Sequence, residues 1–186
     1  MLEEIIMAGF GGQGVMLMGQ LIAYAAMLEG KYSVWIPSYG PEMRGGTANC
    51  SVTVSDQPIA CPVISEPSTV IAMNRPSLDK FEPMVKKDGL LLINSSLVDK
   101  RASRKDIRVY EVPGSKIAEE LGNPKIANIV ILGALLKLTG IVSPEKVMDS
   151  LRKVLGPSKE RLIPLNRSAL EAGASYVSEL SKVSGL

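Results

Sequence analysis

Histidine is missing altogether from the 186 residues, and cysteine occurs only twice, at Cys50 and Cys61. The first absence removes the side chain that most often moves protons near neutral pH and the commonest metal ligand. The second leaves too few soft ligands for a tetrahedral zinc site or an iron–sulfur cluster, which usually want four. With no CxxC pair, both thiols read as small buried hydrophobes in a reducing cytosol. Charge of one sign is also lacking. The 21 basic and 19 acidic side chains leave a net charge of +2, so no strong field steers the chain onto nucleic acid or an anionic membrane. Nor is there an apolar run of the roughly 20 residues that cross a bilayer. The most apolar stretch, Ile126 to Leu136, lies between Lys125 and Lys137 and contains Asn128, so it reads as a buried core helix. The start carries Glu3 and Glu4 ahead of a short apolar run, the reverse of a basic secretory leader, and points to the cytoplasm.

What is present is material for a core: 46% of the residues are hydrophobic and 22% charged, well away from the composition of disordered chains. The length fits one domain spanning 1–186, since domains run to roughly 100–200 residues. EEIIMAGF reads as a strand ending in a glycine cluster. Val15, Met18, Ile22 and Ala25 then recur at helical spacing until Gly30, and Tyr32 to Ile36 reads as a second strand. Met16, Met18 and Met27 read as packing residues of that helix. Pro37 to Gly46 is dense in turn formers and reads as a surface loop, and Thr47 to Val54 alternates on a two-residue period. Strands are expected at Thr69 to Met73, Leu90 to Ile93 and Ile107 to Val112, with a helix opened by Ser77 and Asp79 between the first two. From about residue 115 the pattern is helical. Pro124 suits a first turn, Ser143 and Pro144 open a helix that stops at Gly156, and Ser168 to Leu180 carries one apolar face. The expected fold class is α/β, a three-layer αβα sandwich with a Rossmann-like, mostly parallel but mixed sheet in which 47–54 is the antiparallel member.

Gly9, Gly11 and Gly14 satisfy GxGxxG within GFGGQG, after a strand and before a helix, the context a phosphate-binding turn requires. In that pattern Gly9 permits the tight turn, Gly11 lets an anion approach the backbone, and Gly14 lets helix pack on strand, with Gly12 and Gln13 completing the loop. A dinucleotide site also expects an acid at the end of the second strand. Pro37, Ser38 and Tyr39 stand there instead. Three readings stay open: a tight turn that binds nothing or touches another subunit, a site for the phosphate of a nucleotide-bearing cofactor, and a complete NAD or FAD site.

GFGGQGV followed by SYGPEMRGGTANCSV resembles the gamma subunit of 2-oxoacid:ferredoxin oxidoreductases, through the core to about Leu138. Among the 2-oxoglutarate, 2-oxoisovalerate and pyruvate types, the 2-oxoglutarate type is favoured. The resemblance implies a complex that oxidatively decarboxylates a 2-oxoacid to an acyl-CoA and passes electrons to ferredoxin. It implies alpha and beta chains holding thiamine diphosphate and magnesium between them, and iron–sulfur clusters in chains with the cysteines for them, including a ferredoxin-like delta subunit. In this frame the chain alone is inactive and self-associates, and the glycine loop meets the pyrophosphate of coenzyme A. Tyr39, Glu42, Met43, Arg44, Gly45 and Gly46 form a loop for subunit interface or cofactor contact, Arg44 with its forked guanidinium and the two glycines with open N–H groups. Glu42, a carboxylate without a partner, is given no catalytic role, and no residue of the chain is assigned as catalytic or as a metal ligand. The reading from a different class is a stand-alone nucleotide-binding Rossmann-like protein or dehydrogenase.

Overall fold

In a computed structural model of the chain, residues 1–40 and 45–183 are described. The first strand, β1 (Leu2–Phe10), leads through the glycine loop into α1 (Val15–Leu28), then β2 (Tyr32–Tyr39) and β3 (Thr47–Ser55). Next come β4 (Thr69–Ala72), α2 (Arg75–Phe81), β5 (Leu90–Asn94) and β6 (Arg108–Val112). Every later described element is helical, with α3 (Gly114–Glu120), α4 (Ala127–Thr139), α5 (Pro144–Leu155) and α6 (Ile163–Val183) as the α-helices. The sheet order is β2-β3-β1-β4-β5-β6. β3 pairs antiparallel with both β1 and β2, whereas β1–β4, β4–β5 and β5–β6 are parallel. The fold class is the expected mixed, mostly parallel α/β sheet. β1 and β2 run in the same direction without touching, because β3 lies between them.

Alternation along the strands sends successive side chains to opposite faces. Ile5, Met7, Val52, Ile71 and Leu92 face the core under α1, α4, α5 and α6, and Ile6, Ala8, Val70, Leu91 and Ile93 face a smaller core closed by Leu78 and Phe81 of α2 with Val85 and Val98. Helix α4 is buried from Ala127 through Leu136, which explains an apolar run with no polar face. It crosses α6 at a backbone-to-backbone approach. A Cβ on Gly133 would run into the Leu170 carbonyl, and one on Gly173 into the Val130 carbonyl.

Several boundaries differ from expectation for identifiable reasons. β2 continues through Pro37 to Tyr39, where a loop was expected. It is an edge strand, and a residue without an N–H is tolerated there. The cap of α2 is Asn74, whose side chain accepts the Ser77 N–H at 2.9 Å, so that helix opens before Ser77. α6 begins at Ile163 rather than Ser168, since Pro164 sits in a first turn, where its missing N–H costs nothing. Ser143 caps α5 as expected, accepting the Lys146 N–H at 3.4 Å. Met18 is fully buried, whereas Met27 is 62% exposed on the outer side of α1 and does not pack in the core.

The cysteines separate. Cys50 lies on β3 under α1, and burial pushes its thiol up to about 12. Cys61 is exposed in the irregular segment between β3 and β4, which corrects its reading as a buried hydrophobe. A thiol reagent at pH 7 should therefore label Cys61 in the native chain and reach Cys50 only after unfolding, as peptide mass spectrometry will record. Replacing Gly133 with Ala should cost about 1–3 kcal/mol or more by overpacking the α4–α6 crossing, read as a lower midpoint in urea unfolding.

Candidate functional site

Helix α1 leaves β1 to cover one face of the sheet and α2 leaves β4 to cover the other. The carboxyl ends of β1 and β4 are therefore a topological switch point, the crevice where open α/β sheets take ligands. The glycine loop sits there. Gly12 has φ +102° with open space around it, and Gly14, at φ +73°, is the N-cap of α1. Both conformations are ones that side chains rarely adopt.

The other glycines act differently from the dinucleotide pattern. Gly9 is still within β1, paired with Ala48. It does not make the turn. A Cβ there would stand 2.6 Å from Gln13 Oε1, 2.9 Å from Val15 Cγ2 and 3.0 Å from Met73 Cβ. Gly14 does not bring helix onto strand. A Cβ on it would stand 2.6 Å from Asn128 Cγ of α4, whose Nδ2 donates to the Gly14 carbonyl at 3.2 Å. Gly11 gives its N–H to the Gly46 carbonyl at 2.9 Å, and its carbonyl accepts the Gly45 N–H at 3.4 Å.

The structure thus ties the two sequence motifs together main chain to main chain. Gly45 and Gly46 lie against the glycine loop, and the Gly40 N–H to Thr47 carbonyl bond at 2.8 Å closes the base of the connection. Tyr39 ends β2 opposite Ala48, with half its surface exposed. Glu42, Met43 and Arg44 lie outside the described residues.

Gln13 is the brace of the loop. Its Oε1 accepts the Phe10 N–H at 2.6 Å and the Asn74 Nδ2 at 3.3 Å, while its Nε2 donates to the Met73 carbonyl at 3.3 Å. One carboxamide therefore fastens the end of β1 to the β4–α2 junction. Asn74, Asn128 and Met73 are not among the site residues expected from sequence. Asn128 alone had left a signal, as the single amide inside an apolar run. A small cavity of about 40 Å³ opens on the α2 side of the loop, lined by Phe10, Thr47, Asn49, Asn74 and Lys80 among others.

Electrostatically, α1 presents its N-terminus here with no side-chain cap and no acidic residue in its first turn. Its first N–H groups and the positive end of the helix dipole favour an anion. The Gly11 and Phe10 N–H groups are already engaged by Gly46 and Gln13, so the cradle is narrower than that of a full dinucleotide turn. The polar side chains of the neighbouring cavity are two carboxamides, two hydroxyls and a lysine, which can bind and orient.

Residues 4–176 match the model of the pyruvate ferredoxin/flavodoxin oxidoreductase family. The chain belongs to that family. Among its members, the 2-oxoglutarate synthase subunit KorC of Methanocaldococcus jannaschii is 37% identical over 174 residues, covering 90% of this chain and 92% of its own length. The ketoisovalerate oxidoreductase subunit VorA of Methanothermobacter marburgensis is 38% identical over 175 residues and 93% of this chain, but the match spans only 36% of VorA. Among solved structures, the gamma subunit of a keto/oxoacid ferredoxin oxidoreductase from Geobacter sulfurreducens is 33% identical, with a TM-score of 0.79 over 93% of this chain and 96% of its own. The 2-oxoglutarate:ferredoxin oxidoreductase of Magnetococcus marinus shares the fold at a TM-score of 0.85 and 23% identity, over 94% of this chain and 30% of its own.

Within this oxidoreductase family member, Gln13→Ala should leave the Phe10 N–H and the Met73 carbonyl without their side-chain partner. A loss of about 1–3 kcal/mol is expected, seen in urea unfolding together with faster amide exchange at Phe10.

Proposed function

We propose that the chain is the gamma subunit of a 2-oxoacid:ferredoxin oxidoreductase, which turns a 2-oxoacid and coenzyme A into an acyl-CoA while ferredoxin takes the electrons. The observation that carries this reading is the joining of Gly11 to Gly45 and Gly46 at the carboxyl end of β1, beside the uncapped start of α1. It makes one surface of both family motifs. KorC relatives of matching length favour the 2-oxoglutarate type over the 2-oxoisovalerate and pyruvate types.

The residues present fit the pyrophosphate of coenzyme A. Gly12 leaves the backbone unobstructed and the first turn of α1 offers N–H donors without a competing carboxylate. They do not fit the other cofactors of the complex. Two cysteines, one buried on β3 and one on a surface segment, cannot serve an iron–sulfur cluster, and with no histidine and no cluster of acidic side chains or cysteines among the described residues there is no built metal site. Thiamine diphosphate with magnesium supplies the decarboxylation chemistry when bound between alpha and beta chains. The part of this chain is to position coenzyme A and to dock on those chains, with the ferredoxin-like delta subunit as a further companion. Residues 1–186 act as one domain in this role, inactive alone, and the free thiols suit a reducing cytoplasm. Among the described residues no helix is long and apolar enough to cross a membrane. A stand-alone dehydrogenase is disfavoured because Pro37, Ser38 and Tyr39 occupy the place of the ribose-binding acid.

Affinity purification from the native cell should recover alpha and beta chains with thiamine diphosphate. Recovery of a lone dehydrogenase would reject the assignment. In the intact complex, Gly12→Asp should raise KM for coenzyme A about tenfold more than Gly12→Asn, because both strain the backbone at φ +102° but only the first places a carboxylate at the anion cradle, with KM for the 2-oxoacid unchanged. Equal coenzyme A KM values for the two variants would reduce the loop to a structural turn.

A further inference from the structure

At the opposite edge of the sheet from β2 lies a groove of about 970 Å³, built along β6. Among the described residues β6 pairs only with β5. The Arg108 N–H bonds to the Gly89 carbonyl at 2.8 Å and the Val112 carbonyl accepts the Ser95 N–H at 3.0 Å. Main-chain groups alternate along a strand, so those of Arg108, Tyr110 and Val112 face β5, and those of Val109 and Glu111 face outward. No described residue pairs with the outward set.

The groove has two walls. Tyr176 and Leu180 of α6 form one, and the segment 101–107 forms the other. The second wall is held in place by Glu82, 3% exposed, whose carboxylate accepts the Ser103 hydroxyl at 2.9 Å and the Arg104 N–H at 2.8 Å. Arg104 is neutralised by Asp106 at 2.6 Å. Arg101 and Arg108 also line the groove, and among the described residues neither has a carboxylate partner. Tyr110 and Val112 pack in the core under α6, while Ile107 and Val109 pack in the other. Arg108 therefore shares the α6 face of the strand, and Arg101 belongs to the opposite wall. Glu111 is the acidic residue of the lining, which leaves the groove positive.

We propose that β6 is a strand-addition site for an extended acidic segment of a companion subunit. The incoming main chain pairs with Val109 and Glu111, and its side chains, alternating between faces, set carboxylates against Arg108 on one side and Arg101 on the other. A second copy of this chain is a poorer occupant, because it would bring another set of unpaired arginines into a positive groove. The β2 edge, by contrast, carries Pro37, a common device against pairing. The inference rests on the chain being one subunit of a hetero-oligomer.

The test is residue-resolved amide exchange of the isolated chain and of the intact complex purified from native cells. The Val109 and Glu111 amides should slow about 100-fold or more on assembly, with Arg108 and Tyr110 protected in both. The double variant Arg101→Glu with Arg108→Glu should lower recovery of companion chains about tenfold at fixed salt and leave the melting temperature of the isolated chain unchanged. Unaltered exchange at Val109 and Glu111 in a complex that does contain companions would overturn the site and spare the subunit assignment. Protection that instead appears as the isolated chain is concentrated would assign the groove to a second copy and overturn it. Purification without companions would overturn both.

Discussion

The reversed direction of β3 is the constraint on which the candidate site depends. In a wholly parallel sheet every strand brings its carboxyl end to the ligand side, and the returning connections leave from there. β3 runs against its neighbours over a register that matches Leu2 with Ser55 and Phe10 with Thr47, so its amino end arrives at the carboxyl end of β1. Gly45 and Gly46, which lead into β3, are thereby laid on the glycine loop. The junction between Gly11 and Gly46 is worth little in itself, about 0.5–1.5 kcal/mol for a typical hydrogen bond. What places it is the long β1–β3 ladder, with Met7, Cys50 and Val52 buried beneath it.

This arrangement also explains why so conventional a glycine pattern behaves unconventionally. In the dinucleotide turn the backbone N–H groups are left for phosphate. Here the Gly11 N–H is taken by Gly46 and the Phe10 N–H by the Gln13 carboxamide, leaving the first turn of α1 as the anion-attracting element. Gly14 answers to a side chain, Asn128, delivered by a helix more than a hundred residues later. The loop is thus held by Gly46 ahead of β3, by Met73 and Asn74 after β4, and by Asn128 of α4, and its shape is a tertiary property more than a local one.

That division marks what could be read from sequence. Strand and helix periods, the glycine turn, the Ser143 cap and the antiparallel character of 47–54 were legible because each is encoded within a few neighbouring residues. Pro37 misled because a local rule, that proline breaks a strand, is suspended at a sheet edge. Cys61 misled because cysteine burial is a tendency of the residue type, whereas its exposure follows from a segment without regular structure. Gln13 was legible as part of a motif but not as a brace, since its partners Met73 and Asn74 come from another βα unit. The β6 groove was invisible for the same reason. Arg101, Arg108 and Tyr176 are unremarkable singly and acquire meaning only when α6 folds back along the strand.

The two ends of the sheet carry different risks, and the chain treats them differently. An unpaired strand is a template for any other extended chain, so a protein that leaves one open must either blunt it or use it. At β2 the strand is blunted by Pro37 and is followed by Gly45 and Gly46, which bond to the glycine loop. At β6 there is no proline within Arg108–Val112, and the wall beside it is fastened by a buried carboxylate. Burying Glu82 and satisfying it with donors from Ser103 and Arg104 carries a desolvation cost. That cost is hard to account for if the segment were merely a surface loop, and easier to account for if the segment must hold one side of a groove at fixed distance from α6. A charged groove also resists the apolar, uncharged strands that drive nonspecific aggregation. The same arginines that exclude a self-complementary copy therefore select an acidic partner, and selection against the wrong strand and for the right one becomes a single electrostatic property of the β6 edge.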